Sequence, residues 1–199
     1  MITLDNLVVG YDHPLTKQMD ITFEDGHVYG ILGKSGGGKS TLLKTIAGML
    51  KPIAGTVRRS DDSQIYMMNQ RYTNFNWLNC MDNVLIAERN RRKRREFEPV
   101  AKSILEQVGL GGYLYRYPTE LSGGMQQRLS LARVLFVKPR YLLMDEPLSA
   151  LDDVTRANMQ RLIMDTHNQM NSTIIMVTHS EDEANKMCDH IIKLERYFI

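Results

Sequence analysis

Gly33-Lys34-Ser35-Gly36-Gly37-Gly38-Lys39-Ser40 fits G-x-x-x-x-G-K-[ST], a spacing that builds a cradle for phosphate. Small residues let successive backbone amides turn inward on an anion, where larger side chains would block the approach. A helix starting at Lys39 would add the positive end of its dipole. In such a cradle Lys39 brings a mobile charge to β- and γ-phosphates, Ser40 brings a hydroxyl for Mg²⁺, and Thr41 joins them as a binding residue. Further along, the apolar run Leu142-Leu143-Met144 ends in Asp145-Glu146, a pair of carboxylates of which one can serve a metal. Between these lies Leu121-Ser122-Gly123-Gly124-Met125-Gln126-Gln127-Arg128, where Ser122 can cap a helix and the two glycines leave its amino terminus open to a second anion. Each segment has a plainer alternative: a glycine turn, acids that only solvate a strand end, or a helix that merely begins with glycine.

Regular elements must carry these groups to one place. Residues 2 to 9 and 19 to 24 read as strands, and Asp25-Gly26 is a turn signal before Val28 to Leu32, a short apolar strand that runs into the glycine loop. Lys39 to Leu50 continues as a helix with Leu42, Leu43, Ile46 and Ala47 on one face, so strand, loop and helix follow in the order that a phosphate loop needs. Two strands are expected at 55 to 59 and 64 to 68, across the polar turn Ser60-Asp61-Asp62-Ser63. From about Asp82, a candidate helix cap, to Gly109 the chain reads as helical. After Ser122 come a helix to about Val137, a strand at Tyr141 to Met144, a helix over 153 to 169, a strand at Thr173 to Val177, a short helix near 181 to 187 and a strand at His190 to Leu194. Strands alternating with helices imply a mostly parallel sheet covered on both faces, with ligands bound beyond its carboxyl edge. The glycine loop, Asp145-Glu146 and Thr178-His179 all fall at such strand ends.

Taken with Gln70 and His179, these segments resemble the nucleotide-binding subunit of an ATP-binding-cassette transporter over nearly the whole chain. The resemblance implies an α/β fold: a P-loop NTPase core with a mostly parallel sheet, an antiparallel β subdomain and an inserted α-helical subdomain at about 71 to 120, all within one domain spanning 1 to 199. It implies ATP and Mg²⁺ as ligands, with Gly33, Lys34, Ser35, Gly36, Gly37, Gly38, Lys39, Ser40 and Thr41 around the phosphates. It further gives Asp145 and Ser40 to the metal and Glu146 to the attacking water as general base. Gln70 would sense metal and water, and His179 would contact the γ-phosphate. Tyr11 would stack on adenine, unless it only packs a strand end. Ser122, Gly123 and Gly124 would close on the γ-phosphate held by a second copy, or by a paralogous cassette, in a head-to-tail dimer around two ATP molecules. Family members commonly carry Gln at the position of Met125, and this replacement spares the serine and the glycines.

Composition limits the alternatives. A chain of 199 residues, 43% hydrophobic, can bury one sizeable core. Its net charge of +2 gives no general pull toward nucleic acid, and none is expected as a partner. Cys80 and Cys188 lack metal-ligand spacing and read as reduced thiols of a cytosolic protein. No secretory signal is expected at Met1-Ile2-Thr3-Leu4-Asp5, and no apolar run is long enough to span a bilayer. The resemblance therefore implies a protein on the inner face of the cell membrane that docks onto separate permease subunits, through a loop containing Phe75-Asn76-Trp77-Leu78. Trp77 either anchors that interface or plugs the local core. The basic run Arg89, Arg91, Arg92, Lys93, Arg94 and Arg95 is read first as a solvated helix face or junction, with lipid headgroups or acidic loops next and nucleic acid last. Tyr117-Pro118-Thr119-Glu120, Trp77 and Asp82-Asn83-Val84 resemble importers for nitrate, sulfonates and similar solutes, without a carboxy-terminal regulatory domain. Solute and transport direction stay open at this level. A soluble cassette acting on ribosomes or DNA, and a binding-only regulatory module, are the competing readings.

Overall fold

In chain order the elements are β1 (Ile2–Val8), β2 (Met19–Phe23), β3 (Val28–Leu32), α1 (Lys39–Ile46), β4 (Ala54–Arg59), β5 (Ile65–Met68), α2 (Cys80–Leu85), α3 (Arg94–Gln107), α4 (Gly123–Val137), β6 (Tyr141–Asp145), α5 (Asp153–Met170), β7 (Thr173–Thr178), α6 (Glu181–Met187) and β8 (His190–Lys193). Short 3-10 turns occur at Gly111–Tyr113, Pro118–Glu120 and Leu194–Tyr197. The computed structural model describes every residue except 35, 61–64, 70–73, 89, 91–92 and 150.

The strands form two sheets, a parallel one in the order β5-β6-β7-β3-β8 and an antiparallel one in the order β2-β1-β4. β3, β6 and β7 are buried along their whole length, as expected when helical connections cover both faces of a parallel sheet. Of the two strands read at 55 to 59 and 64 to 68, β4 joins the antiparallel sheet and β5 the edge of the parallel one. One apolar cluster unites Ile2, Leu4 and Phe23 of the antiparallel sheet with Leu42, Leu43 and Ile46 of α1 and Leu143, Ile175 and Val177 of the parallel sheet. Burying each such side chain contributes about 1.5–3 kcal/mol, so α1 is held by its packing far more than by its own eight-residue helicity.

Two boundaries differ from the sequence reading. The first helix stops at Ile46 instead of Leu50, because the amides of Gly48 and Met49 turn back onto the carbonyls of Thr45 and Lys44 at 3.0 and 2.9 Å. Asp82 is not a helix cap: α2 starts earlier, and the Asn79 side chain accepts the Asp82 amide at 2.8 Å. Burial pushes the Cys80 thiol up to about 11 and the Cys188 thiol up to about 12, which keeps both protonated at neutral pH.

The chain divides into two compact units. The first takes in 1–70, 139–147 and 167–199, with both sheets and α1; the second takes in 71–138 and 148–166, and is helical. Within the second unit, Arg128 donates to the carbonyls of Val108 and Gly109 at 3.1 and 3.3 Å, while Phe97 and Phe136 meet edge to face, so α4 is fixed against α3. Of the basic run, Lys93 and Arg95 are exposed where α3 begins; Arg89, Arg91 and Arg92 lie outside the described residues.

Candidate active site

Leu32 pairs with Thr178 across β3 and β7, and Asp145 pairs with Val177 across β6 and β7. This register delivers the glycine loop, Glu146 and His179 to the same carboxyl edge, where a doubly covered parallel sheet offers its ligand site. A cleft of about 690 Å³ opens there, lined by the run from Gly36 to Thr41 together with Tyr11, Leu15, Glu146 and His179, all in the first unit. Its size suits a nucleotide-scale ligand.

The loop presents backbone rather than side chains. Gly36 and Gly38 take left-handed φ values of 82° and 77°, and Gly38 caps α1 without any side-chain bond. The first helical bond closes from the Leu42 amide to the Gly38 carbonyl at 2.8 Å, so the amides of the first turn precede the ladder and carry the dipole's positive end. Lys39 is 5% exposed, and its Nζ donates to the carbonyls of Gly33 and Lys34 at 2.7 and 2.8 Å. Its ammonium is therefore held at the loop.

Asp145 is 4% exposed at the end of β6. Burial pushes its carboxyl up from the usual range and the charge of Glu146 adds to this, while a hydrogen bond from the Ser40 hydroxyl and the charges of Lys44 and Lys39 oppose it. Its Oδ1 is buried without a hydrogen-bond partner among the described residues. An orphaned carboxylate oxygen beside a serine hydroxyl is a fitting pair of hard oxygen donors for Mg²⁺, which takes few protein ligands and keeps the rest for water and phosphate.

Glu146 adopts φ 50°, an uncommon region for a non-glycine residue, and its amide is fixed to the Val177 carbonyl at 3.0 Å. Its Oε2 lies 3.6 Å from Nδ1 of His179. At the last residue of β7, the Thr178 hydroxyl donates to Glu183 at 2.7 Å and accepts from the Ser180 amide at 3.0 Å, while the Ser180 side chain caps α6 by accepting the Glu183 amide at 3.2 Å. That network pins the turn carrying His179. Glu183 was not singled out in the sequence, although Ser180-Glu181-Asp182-Glu183 carries the S-x-x-E signature that could have found it. Tyr11 is 58% exposed at the rim beside Leu15, with its ring open for stacking. Gln70 and Ser35 lie outside the described residues.

Ser122, Gly123 and Gly124 belong to the second unit. Ser122 caps α4 by accepting the Met125 amide at 3.3 Å, and Ser122 and Gly123 are exposed. α4 is joined to the chain following position 73: Asn74 donates to the Gln126 carbonyl at 2.8 Å and accepts from the Ser130 hydroxyl at 3.0 Å, and the Arg133 guanidinium lies over the Phe75 ring. Asn83 is fully buried; its amide nitrogen donates to the carbonyls of Phe75, Leu78 and Asn79, and its oxygen accepts the Phe75 amide at 2.8 Å. The loop so shaped projects Trp77 72% exposed, which rules out the local-core reading. Asn83→Ala should therefore cost about 2–3 kcal/mol through unsatisfied backbone groups, read by urea unfolding. Because Trp77 is the chain's only tryptophan, its emission should shift in the folded variant. An unchanged midpoint would refute this role.

The ABC transporter family profile matches residues 16–149. The chain is 38% identical to the aliphatic sulfonates import ATP-binding protein SsuB 1 of Rhodococcus jostii over 98% of its length and 80% of that protein. It is also 38% identical to a putative 2-aminoethylphosphonate import ATP-binding protein of Salmonella typhimurium, over 96% of this chain but 55% of that protein, so it spans about half the length of that relative. The nitrate transport protein NasD of Klebsiella oxytoca is 38% identical over 85% of this chain and 69% of its own. Among solved structures, the dimeric structure of MJ0796, a bacterial ABC transporter cassette, superposes with a TM-score of 0.86 at 27% identity, covering 97% of this chain and 94% of that one. The post-hydrolysis state of the same cassette with ADP and Pi gives a TM-score of 0.84, also at 27% identity, covering 97% of this chain and 94% of that one. With the phosphate cradle, the acidic strand end and the capped Ser-Gly-Gly helix in place, these matches show that the chain belongs to the ABC transporter family, as an ATP-binding and ATP-hydrolysing cassette.

Proposed function

We propose that two copies of this chain close head to tail around two Mg-ATP and drive uptake of a small oxyanion through separate membrane subunits. The observation that carries the reading is the cleft that gathers the Gly36–Thr41 run, Glu146 and His179 at one sheet edge. The loop amides and Lys39 bind the phosphates, Tyr11 stacks on the base, and His179 donates toward the γ-phosphate. Glu146 orients the attacking water and takes its proton. Asp145, Ser40 and Gln70 would hold Mg²⁺, which supplies charge neutralisation to the phosphates when bound.

An exposed serine-glycine helix start in the second unit offers a further anion site. Head-to-tail pairing gives that site its phosphate from the other copy, and a paralogous cassette would serve as well. The membrane subunits would dock on the surface around Trp77 and on the segment 111–120. There the Cys80 and Met81 amides donate to the carbonyls of Arg116 and Leu114 at 2.9 Å each. The groove along that segment has a volume of about 690 Å³ and presents the exposed rings of Tyr113, Tyr115 and Tyr117, residue types that commonly anchor interfaces. Among the described residues no helix is long and apolar enough to cross a membrane. The import ATP-binding relatives support a chain that works from the membrane's inner face by docking. The oxyanion class rests on the sulfonate, aminoethylphosphonate and nitrate relatives.

Light scattering on Glu146→Gln with and without ATP tests the pairing. The expected outcome is a monomer that becomes a dimer with ATP, and Ser122→Arg added to it should abolish the dimer while leaving ATP bound. A dimer that survives Ser122→Arg would overturn the head-to-tail arrangement.

A further inference from the structure

Gly37 is a position where the motif G-x-x-x-x-G-K accepts any residue, and unlike Gly36 and Gly38 it does not take a left-handed φ. Its backbone alone does not call for glycine. The space above it does, because a Cβ added there would lie 2.1 Å from Cζ of Phe198 and 2.8 and 2.9 Å from the two Cε atoms of that ring. The same Cζ stands 3.7 Å from where a Cβ would sit on Gly33, and the buried Leu194 approaches that point at 3.6 Å.

Phe198 is itself held in place. It forms a β-bridge with Thr16, and the neighbouring Tyr197 carbonyl accepts the Lys17 amide at 2.6 Å. Thr16 is buried and follows Leu15, whose Cβ lies 3.6 Å from a Cβ placed on Gly38 and which lines the cleft with Tyr11. The phosphate loop is thus gripped between two segments that are bonded to each other.

We propose that Phe198 is a positioning residue for ATP binding: its ring fills the side-chain space left by Gly37 and holds the triple-glycine stretch in its phosphate-binding shape. Three consecutive glycines lose more backbone freedom on ordering than other residues, and a fixed ring that orders them beforehand removes part of that loss from the binding step. Gly37 and Phe198 then work as a complementary pair, in which a side chain at one position requires a smaller one at the other. This rests on the reading of Gly33–Ser40 as the phosphate site.

The test is a double-mutant cycle on the full chain with Gly37→Ala, Phe198→Ala and the combination, read by equilibrium ATP binding, steady-state ATPase and melting temperature. Overpacking by Gly37→Ala should weaken ATP binding roughly tenfold. Phe198→Ala should raise KM about threefold with kcat little changed, as expected for lost preorganisation. The double variant should bind ATP better than Gly37→Ala alone, to within about threefold of Phe198→Ala. Phe198→Leu, which keeps apolar volume, replaces Phe198→Ala in the cycle if the latter melts early. Normal ATP binding by Gly37→Ala, or a double variant no better than Gly37→Ala, overturns the proposal; so does a Phe198 variant that melts lower but keeps its KM. Lys39→Ala serves as the control: normal ATP affinity there would remove the phosphate-site reading, whereas weak binding there without coupling between 37 and 198 removes the Phe198 proposal alone.

Discussion

Glu146→Gln is expected to bind ATP as tightly as the parent and to lose about a hundred- to ten-thousand-fold in kcat, the range for loss of a general base. Glutamine has the same length and shape and keeps the backbone bond to the Val177 carbonyl, so the turn at φ 50° should survive the exchange. The ability to accept a proton does not survive. The Glu146 carboxylate lies 3.6 Å from Nδ1 of His179, and both line the cleft with the glycine run, where the proposed reading has them share one bound phosphate and its attacking water. Affinity, read by calorimetry with ATP, should therefore separate cleanly from turnover, read by phosphate release. A kcat within about threefold of the parent would remove Glu146 from the proton-transfer role, whatever happens to binding.

Lys39→Ala should weaken ATP binding by about a hundredfold while hardly changing affinity for AMP. The ammonium is buried at the loop and donates to the Gly33 and Lys34 carbonyls, so its stem is fixed there; in the proposed reading it meets the β- and γ-phosphates, and an α-phosphate alone would gain little from it. Comparing ATP with AMP distinguishes a lost charge from a collapsed loop, because collapse would weaken both nucleotides alike. Equal losses for the two would refute the placement of Lys39 at the terminal phosphates. Lys39→Arg should not restore full affinity, since a planar five-donor fork does not fit where a compact ammonium sits between two carbonyls.

The chemistry of the cleft was legible because it is local. A phosphate loop needs its glycines, lysine and serine next to one another, and a strand end needs its acids directly after the apolar run, so Gly33–Ser40 and Asp145-Glu146 identify themselves by spacing. The strand-loop-helix order around the loop and the alternation of strands and helices gave the parallel sheet for the same reason: period and punctuation are properties of neighbours in sequence. His179 and Tyr11 needed more, since a lone histidine or tyrosine acquires meaning only when other groups face it.

What the chain could not announce was anything set by distant partners. The split of β4 and β5 between two sheets, the Asn83 side chain that shapes the loop and exposes Trp77, the hydroxyl of Thr178 on Glu183, and the Phe198 ring over Gly37 all join residues through packing and hydrogen bonds that carry no periodic signal. By itself, the sequence determined the family, the phosphate loop and the order of strands and helices, because short-range sterics and patterning dictate these. The tertiary structure alone decided which carboxylate oxygen is left without a hydrogen-bonding partner among the described residues, which carboxylate stands beside the histidine and what rests on the loop, because burial and pairing exist only once the chain has closed on itself.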